Sequence, residues 1–299
     1  MDRFHVMKVF VAVAEERSFA AESRRLALSP PAVTRAVADL EERLRAKLLT
    51  RTTRFVRVTD LGAQYLADAR RILEELEAVD EAIGGSYRAV RGGLVVTAPV
   101  LFGRLYVIPG VVDFLNRYPD TRVNALLLDR VVNLVEEGVD AGIRIGELPD
   151  SSINAALAGK VRRVVCAAPA YLKKHGTPKR PEDLKRHTLI AASSVSSTGE
   201  WRFAEGRKAL GIKVQPRLSV TTNDAAIEAA TRSFGLTRLL SYQVAPLVAS
   251  GKLEIVLSRY EPEPLPIHVV YREGRQTSAR IRTFVDLMVS RLRADPALA

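Results

Sequence analysis

Among 299 residues there is one cysteine, Cys166. A single thiol excludes an intramolecular disulfide framework and any multi-cysteine zinc site, and its apolar neighbours Val164, Val165, Ala167 and Ala168 mark it as a small buried residue rather than a nucleophile. Histidine is scarce as well: His5, His175, His187 and His268 show no HxxxH or HExxH spacing, and no GxSxG or Walker-type run occurs. Hydrolase, metalloprotease and nucleotide-binding chemistry therefore lack their residues, so no enzyme, cofactor or metal is expected. Ser193, Ser194, Ser196 and Ser197 are rich in hydroxyls, but no carboxylate and histidine signature accompanies them, and a surface or hinge loop is the simpler reading. Long apolar runs are missing too. Residues 9–14 are too short for a signal segment or a span and are ended by Glu15, Glu16 and Arg17, so a cytoplasmic chain with no membrane partner is expected.

The length points to roughly two domains, and the 47% apolar and 26% charged fractions are those of an ordinary globular protein. The net charge of +11 invites a nucleic-acid reading. Its distribution does not locate one: residues 1–90 hold 15 Lys and Arg against 14 Asp and Glu, a net of +1, leaving +10 for residues 91–299. What matters for phosphate binding is where the cations sit. On charge alone, an architectural DNA-binding protein without a ligand remains an alternative.

The most informative stretch is residues 18–62. Ser29 is a preferred N-cap and Pro30 falls at the first helical position, where a missing N–H costs nothing. From that start Val33, Val37, Leu40 and Leu44 line one apolar face, while Pro31, Ala32, Thr34, Arg35 and Ala38 point outward. Two readings stand: a solvated helix face, or a small hydroxylic face with one arginine that enters a major groove. The neighbours favour the second. Ser18 opens a short helix carrying Ala20, Ala21 and Leu26, and Ala27-Leu28 form a tight connection, the proportions of a helix-turn-helix. Downstream, residues 48–59 alternate as a small hairpin, and residues 43–59 contain six basic side chains and no acid. A basic hairpin beside a recognition helix is a wing.

These parts resemble the LysR-type bacterial transcription regulators. The likeness rests on Phe10 and Val13, Ser18-Phe19, Arg25-Leu26, the run Ser29-Pro30-Pro31-Ala32-Val33-Thr34-Arg35, Leu40-Glu41, Leu44, Leu48-Leu49, Arg51-Thr52, Val58-Thr59 and Gly62. It departs at Glu22, usually small, at Arg45, usually glycine, and at Leu49, usually phenylalanine; the first two read as surface changes. The resemblance implies DNA contacts from Ser29, Pro30, Pro31, Ala32, Thr34 and Arg35 on the helix and from Arg51, Thr53, Arg54 and Arg57 on the wing.

From Thr59, an N-cap, the absence of proline to residue 83 predicts one long helix. Tyr65, Ala69, Ile72, Leu76, Val79 and Ile83 are spaced as a heptad seam of about three repeats. Such a seam pairs with a second copy or packs on its own domain. In the family a linker helix at this position dimerises, and tetramers are common, which implies a homodimer or homotetramer. Gly84-Gly85 and Gly92-Gly93 bracket a hinge.

Beyond Gly93, strands at 94–98, 122–128 and 141–145 alternate with helices at 105–118 and 131–137, predicting parallel sheets. A second set follows: strands at 161–167, 189–192, 218–220, 236–240 and 253–256, with helices opening near Pro169 and covering 223–233 and 241–250. A strand at 267–271 and a helix at 277–293 close the chain. Val139-Asp140-Ala141-Gly142-Ile143-Arg144, Ala168-Pro169-Ala170-Tyr171-Leu172, Pro181-Glu182-Asp183-Leu184 and Thr222-Asn223-Asp224-Ala225 resemble LysR effector domains. The implied fold is multidomain: an all-α winged helix-turn-helix with a long linker helix, then an α/β two-lobed domain like type II periplasmic binding proteins. The expected boundaries are 1–60, 61–90 and 91–299, with lobe I at 91–163 and 267–299 and lobe II at 164–266.

Ligands in open α/β folds sit at the carboxyl ends of strands. The family pattern there nominates Pro99, Val100, Leu101, Phe102, Arg144, Ser193, Ser194, Ser196, Thr222, Asn223, Thr237 and Arg238 for a small-molecule effector. A carboxylate suits them, because Asn223 opens a helix with free N–H groups and arginine clamps carboxylates. Asn223 reads equally as a plain N-cap and Arg144 as a structural ion-pair partner. The implied partners are double-stranded operator DNA, the effector, a second copy of the chain and RNA polymerase.

Overall fold

The computed structural model describes residues 2–16, 28–51, 56–83, 90–148, 153–192, 199–206, 208–272 and 278–298. The short helix expected from Ser18, the wing residues Thr53 and Arg54, the Gly84-Gly85 hinge and Ser193, Ser194 and Ser196 lie outside them. Two compact units emerge, Met1–Arg88 and Ala89–Ala299.

In the first unit α1 (Arg3–Glu16) packs on α2 (Pro30–Leu44), and a small antiparallel hairpin of β1 (Leu49–Arg51) and β2 (Val56–Val58) leads into α3 (Asp60–Ile83). The start of α2 follows its local chemistry: the Ser29 hydroxyl accepts the amide of Ala32 at 3.4 Å, and Pro30 opens the helix. Val33, Ala36, Val37 and Leu40 then meet Val9, Phe10 and Val13 in one core. The helix ends on Arg45 in the left-handed conformation, φ 50°, with the Ala46 amide returning to the Glu41 carbonyl. Glycine takes that conformation without strain, so the departure at Arg45 bears on the backbone and is more than a surface change.

Helix α3 is capped by Thr59, whose hydroxyl accepts the Gly62 amide at 2.9 Å. Its first half packs in part on its own unit. Ala69 is fully buried with Met7 and Leu73, Tyr65 stands edge-on to Phe10 at 5.3 Å, and Ile72 packs on the same cluster. The expected pairing seam is therefore corrected at Ala69, which is fully buried against α1 of the same chain; Tyr65 and Ile72 are half-buried and give part of their apolar surface to the same packing. Leu76 is half-buried, and the side chains of Val79 and Ile83 lie outside the described part.

The second unit holds two five-stranded sheets. Lobe I contains β3 (Gly92–Ala98), β4 (Thr121–Leu127), β5 (Ala141–Ile145), β6 (Ile153–Val161) and β14 (Leu265–Arg272), in the order β4-β3-β5-β14-β6. Lobe II contains β7 (Arg163–Ala167), β8 (Leu189–Ala192), β11 (Leu218–Val220), β12 (Leu236–Leu240) and β13 (Glu254–Val256), in the order β11-β8-β12-β7-β13. Both sheets are mixed where parallel ones were expected: β4 and β5 run parallel to β3, whereas β14 is antiparallel to β5 and β6. The reversal follows from the double crossover, since β14 returns from lobe II and enters its sheet from the other end.

A continuous helical stretch over 100–117 covers lobe I, ending in α4 (Ile108–Arg117), with one π-helical turn at Gly103–Val107. It packs with α8 (Ala279–Arg293) through Phe114, Phe284 and Met288. Lobe II carries α6 (Asn223–Thr231) and α7 (Ser241–Ala249) on one face, against Val164, Cys166, Ile190 and Leu239. The other face is covered by α5 (Pro169–His175), a 3-10 turn (Pro181–Arg186) and a hairpin of β9 (Glu200–Glu205) and β10 (Lys208–Lys213).

Three local expectations are corrected. Residues 131–137 form a turn rather than a helix, because the Asn133 side chain takes the Val135 and Glu136 amides and Gly138 at φ 63° ends the segment. Strand β6 was not expected, its alanine-rich sequence Ile153–Val161 being held by pairing with β14 rather than by strand propensity. The β9–β10 hairpin was missed although Trp201 and Phe203 alternate inward ahead of Gly206, a period-two signal beside a turn glycine.

Candidate functional site

On the first unit, α2 presents one face to solvent. Ser29, Pro30, Pro31 and Arg35 are exposed, and Ala32 and Thr34 are half-buried beside them. These are short groups on a stable cylinder with one arginine that reaches further, a shape able to lie along a groove and touch base edges. Arg57 is exposed on β2, while its neighbours Val56 and Val58 turn toward the core. Arg51 pairs with Val56 in the ladder; its side chain, like Thr53 and Arg54, lies outside the described part.

Glu41 ties the wing to the helix. It is 5% exposed, Oε1 accepts the amides of Leu48 and Leu49, both at 2.9 Å, and Oε2 meets Lys47 Nζ at 2.8 Å. Burial alone would raise its pKa, but the Lys47 ammonium and the two amides outweigh that and hold it below the ordinary glutamate value. Behind it, a Cβ on Gly62 would lie 2.0 Å from the Leu48 carbonyl oxygen, so α3 is able to pass the wing only as glycine.

In the second unit a cavity of about 190 Å³ opens where the two sheets face each other, smaller than the roughly 300 to 1,000 Å³ typical for drug-sized ligands. It brings together three of the expected residues, Pro99, Arg144 and Asn223. The chain order alone did not identify their companions Asp129, Arg130, Arg163, Tyr242 and Gln243. Arg144, on β5, is half-buried and donates to the Val132 carbonyl; burial lowers its pKa, and Glu137 partly opposes that. Arg130 is already engaged, forked onto Glu137 at 2.7 Å. Arg163 opens β7 and makes no ion pair among the described residues. Tyr242, almost fully buried, has its phenol pKa pushed up chiefly by burial and accepts from Gln243 Nε2 at 3.3 Å. The Asp129 carboxylate accepts the Val100 amide at 3.0 Å. One guanidinium without an ion pair among the described residues, a second that donates to a backbone carbonyl, an amide and a phenol around a small space form a pattern suited to an anion with an apolar body.

Several expected residues do not line this cavity. Leu101 and Phe102 are buried in the core of lobe I, because the segment after Pro99 becomes the first turn of a helix and rotates them inward. Val100 is exposed and meets Asp129 through its backbone. Thr222 is the N-cap of α6, leaving Asn223 as the first helical residue, buried at the cavity wall; the plain N-cap reading of Asn223 is thus corrected. Thr237 is fully buried in the middle of sheet II, which is covered on both faces. Arg238 is buried against Phe203, its guanidinium 5.4 Å from the ring, and donates to the Arg202 carbonyl.

Known proteins with this arrangement are numerous. Residues 4–63 match the model described as "Bacterial regulatory helix-turn-helix protein, lysR family", and residues 88–293 match "LysR substrate binding domain". The chain is 32% identical over 292 residues to an HTH-type transcriptional regulator of Xanthomonas campestris, covering 96% of this chain and 85% of the relative. It is similar to CrgA of Neisseria meningitidis, 32% identical with 96% of both chains covered; the solved CrgA structure matches with a TM-score of 0.62 over 96% of this chain and 98% of CrgA. The full-length Vibrio cholerae virulence activator AphB, at 23% identity, shares the fold with a TM-score of 0.62 over 97% of this chain and 99% of AphB. With a wing-flanked recognition helix on one unit and a two-lobed domain with a small cleft on the other, the chain belongs to the LysR family of bacterial transcriptional regulators, which join a DNA-binding helix-turn-helix to an effector-binding domain.

Proposed function

We propose that the protein regulates promoters by reading an operator through the exposed face of α2 and by sensing a small anionic effector, a carboxylate by the chemistry of its lining, in the cleft of the second unit. The observation that carries the effector class is the convergence of Arg144, Arg163 and Asn223 on one small cavity whose acid, Asp129, is engaged by a backbone amide. A ligand clamped between two lobes shifts the protein toward the lobe arrangement it binds better, by no more than its differential affinity. The protein works as a cytoplasmic homodimer or homotetramer, with pairing through the distal part of α3 from Leu76 onward, and it addresses RNA polymerase at the promoter. No helix among the described residues is long and apolar enough to cross a membrane. The relatives are named as transcriptional regulators, which supports regulation over catalysis.

The test is a thermal-shift titration of the full chain with acetate, benzoate and succinate beside their neutral amides. Bound ligand raises stability by RT ln(1 + [L]/Kd), so at least one acid is expected to raise the melting temperature while its amide does not. Arg144→Ala is expected to abolish that rise. Equal shifts from acids and amides would remove the anionic reading.

A further inference from the structure

The positive charge of this chain is concentrated in one place, and that place is not the DNA-reading unit. Residues 160–217 hold 14 Lys and Arg against 4 Asp and Glu, a net of +10, whereas the remaining residues hold 31 against 30. Residues 1–88 alone hold 15 against 14. Within the basic segment the fold gathers many of the cations on one layer, while Lys160, Arg162, Arg163 and Arg217 lie outside it. Helix α5, the 3-10 turn and the β9–β10 hairpin all sink their apolar side chains, among them Tyr171, Leu172, Leu184, Trp201 and Ile212, into the same core on one face of sheet II. Their polar sides consequently face outward together.

On that outer side Lys173, Lys174, Lys179, Arg180, Lys185 and Arg186 are exposed and form no ion pair among the described residues. The turn also carries two acids: Glu182, which is exposed, and Asp183, whose carboxylate accepts the backbone amides of Lys179 and Arg180, both at 2.9 Å, and lies in the field of Arg186 and Arg180. Strands β9 and β10, six residues each, extend the layer by about 20 Å, a length over which a duplex presents about a dozen phosphates on its two strands.

We propose that this layer of lobe II is a second, sequence-independent DNA contact that holds the phosphates of duplex flanking the operator. A protein partner would need apolar anchors at the centre of its footprint, yet among the described residues between 169 and 213 no large apolar side chain is exposed. Lysine and arginine without amide or aromatic companions hold a phosphate backbone and carry no base-reading geometry. The layer also supplies the long-range attraction for DNA that the nearly neutral first unit lacks.

The experiment uses the full chain carrying Lys173→Glu, Lys174→Glu, Lys185→Glu and Arg186→Glu together, titrated against a random duplex of about 60 base pairs at several salt concentrations. Each lost phosphate contact lowers the slope of log affinity against log salt by about 0.9, so a drop of about 3 to 4 is expected, with at least a tenfold loss of affinity at low salt. The four matching Gln variants, with an unchanged melting temperature, are expected to show a smaller drop in the same direction. Lys252→Glu, next to α7 on the opposite side of the lobe, is expected to change neither quantity. An unchanged slope and affinity in the fourfold Glu variant overturns the proposal. If DNA binding is unchanged but promoter output falls at equal protein abundance, the layer serves an acidic protein and the proposal is equally overturned.

Discussion

Leu48 donates its amide hydrogen to Glu41 Oε1 at 2.9 Å, so a residue on the recognition helix fixes the first residues of the wing. Removing the carboxylate leaves the amides of Leu48 and Leu49 buried without acceptors, which costs about 1 to 3 kcal/mol for each such group. Glu41→Ala is therefore expected to lower stability by about 2 to 6 kcal/mol, and Glu41→Gln by less. Because the folded carboxyl is held below its ordinary value, its contribution is full above the unfolded pKa and is lost as pH falls through the folded one. Urea unfolding at pH 7 and at pH 3.5 checks both points: the deficit of the variant against the parent shrinks at the lower pH. A constant deficit would show that charge is not what the site uses.

Arg45 ends α2 at φ 50°, a conformation that costs an L-residue about 1 to 2 kcal/mol. Part of that is returned by the larger freedom of glycine in the unfolded chain. Arg45→Gly is expected to stabilise the first unit by about 0.5 to 1 kcal/mol, read as a higher urea midpoint with an unchanged slope. Destabilisation would mean that the arginine side chain contributes more than the backbone loses.

Base reading and phosphate holding separate at Arg35 and Arg57. Arg35→Ala is expected to lose about 1 to 3 kcal/mol at the preferred operator and to flatten discrimination among single-base variants. Arg57→Ala is expected to weaken all sequences alike and to reduce the salt slope by about one ion. Operator, operator mutants and random duplex are titrated at two salt concentrations. Equal losses on operator and random DNA for Arg35→Ala would show that this face is not the reading head.

Ala69 and Leu76 stand on the same expected seam but in different environments, Ala69 fully buried inside its own unit and Leu76 half-buried. Leu76→Glu is expected to shift dimers toward monomers in light scattering while the unfolding midpoint of the first unit changes little. Ala69→Glu is expected to destabilise the first unit outright, because it places a charge against Met7 and Leu73. A dimer mass retained by Leu76→Glu moves the interface elsewhere.

What was legible in the sequence is what neighbours in the chain decide. Ser29, Pro30 and the spacing of Val33, Val37 and Leu40 act within a few residues, so the start and buried face of α2 follow from side-chain capping and helical periodicity before any tertiary contact forms. Most strands of both lobes carry their own apolar runs and are visible for the same reason; the exceptions are β6, whose alanines hold a strand only through its neighbour, and the β9–β10 hairpin. Three matters needed the fold. Arg144, Arg163 and Asn223 meet at one cavity only because the chain crosses twice between the lobes, and no local signal encodes a meeting of residues far apart in sequence. Tyr65 and Ala69 repeat as a seam does, yet periodicity states only that a face is buried; the packing of α1 decided what buries it. The direction of β14 was likewise set by where the returning chain enters its sheet, since an apolar alternation reads the same for parallel and antiparallel neighbours.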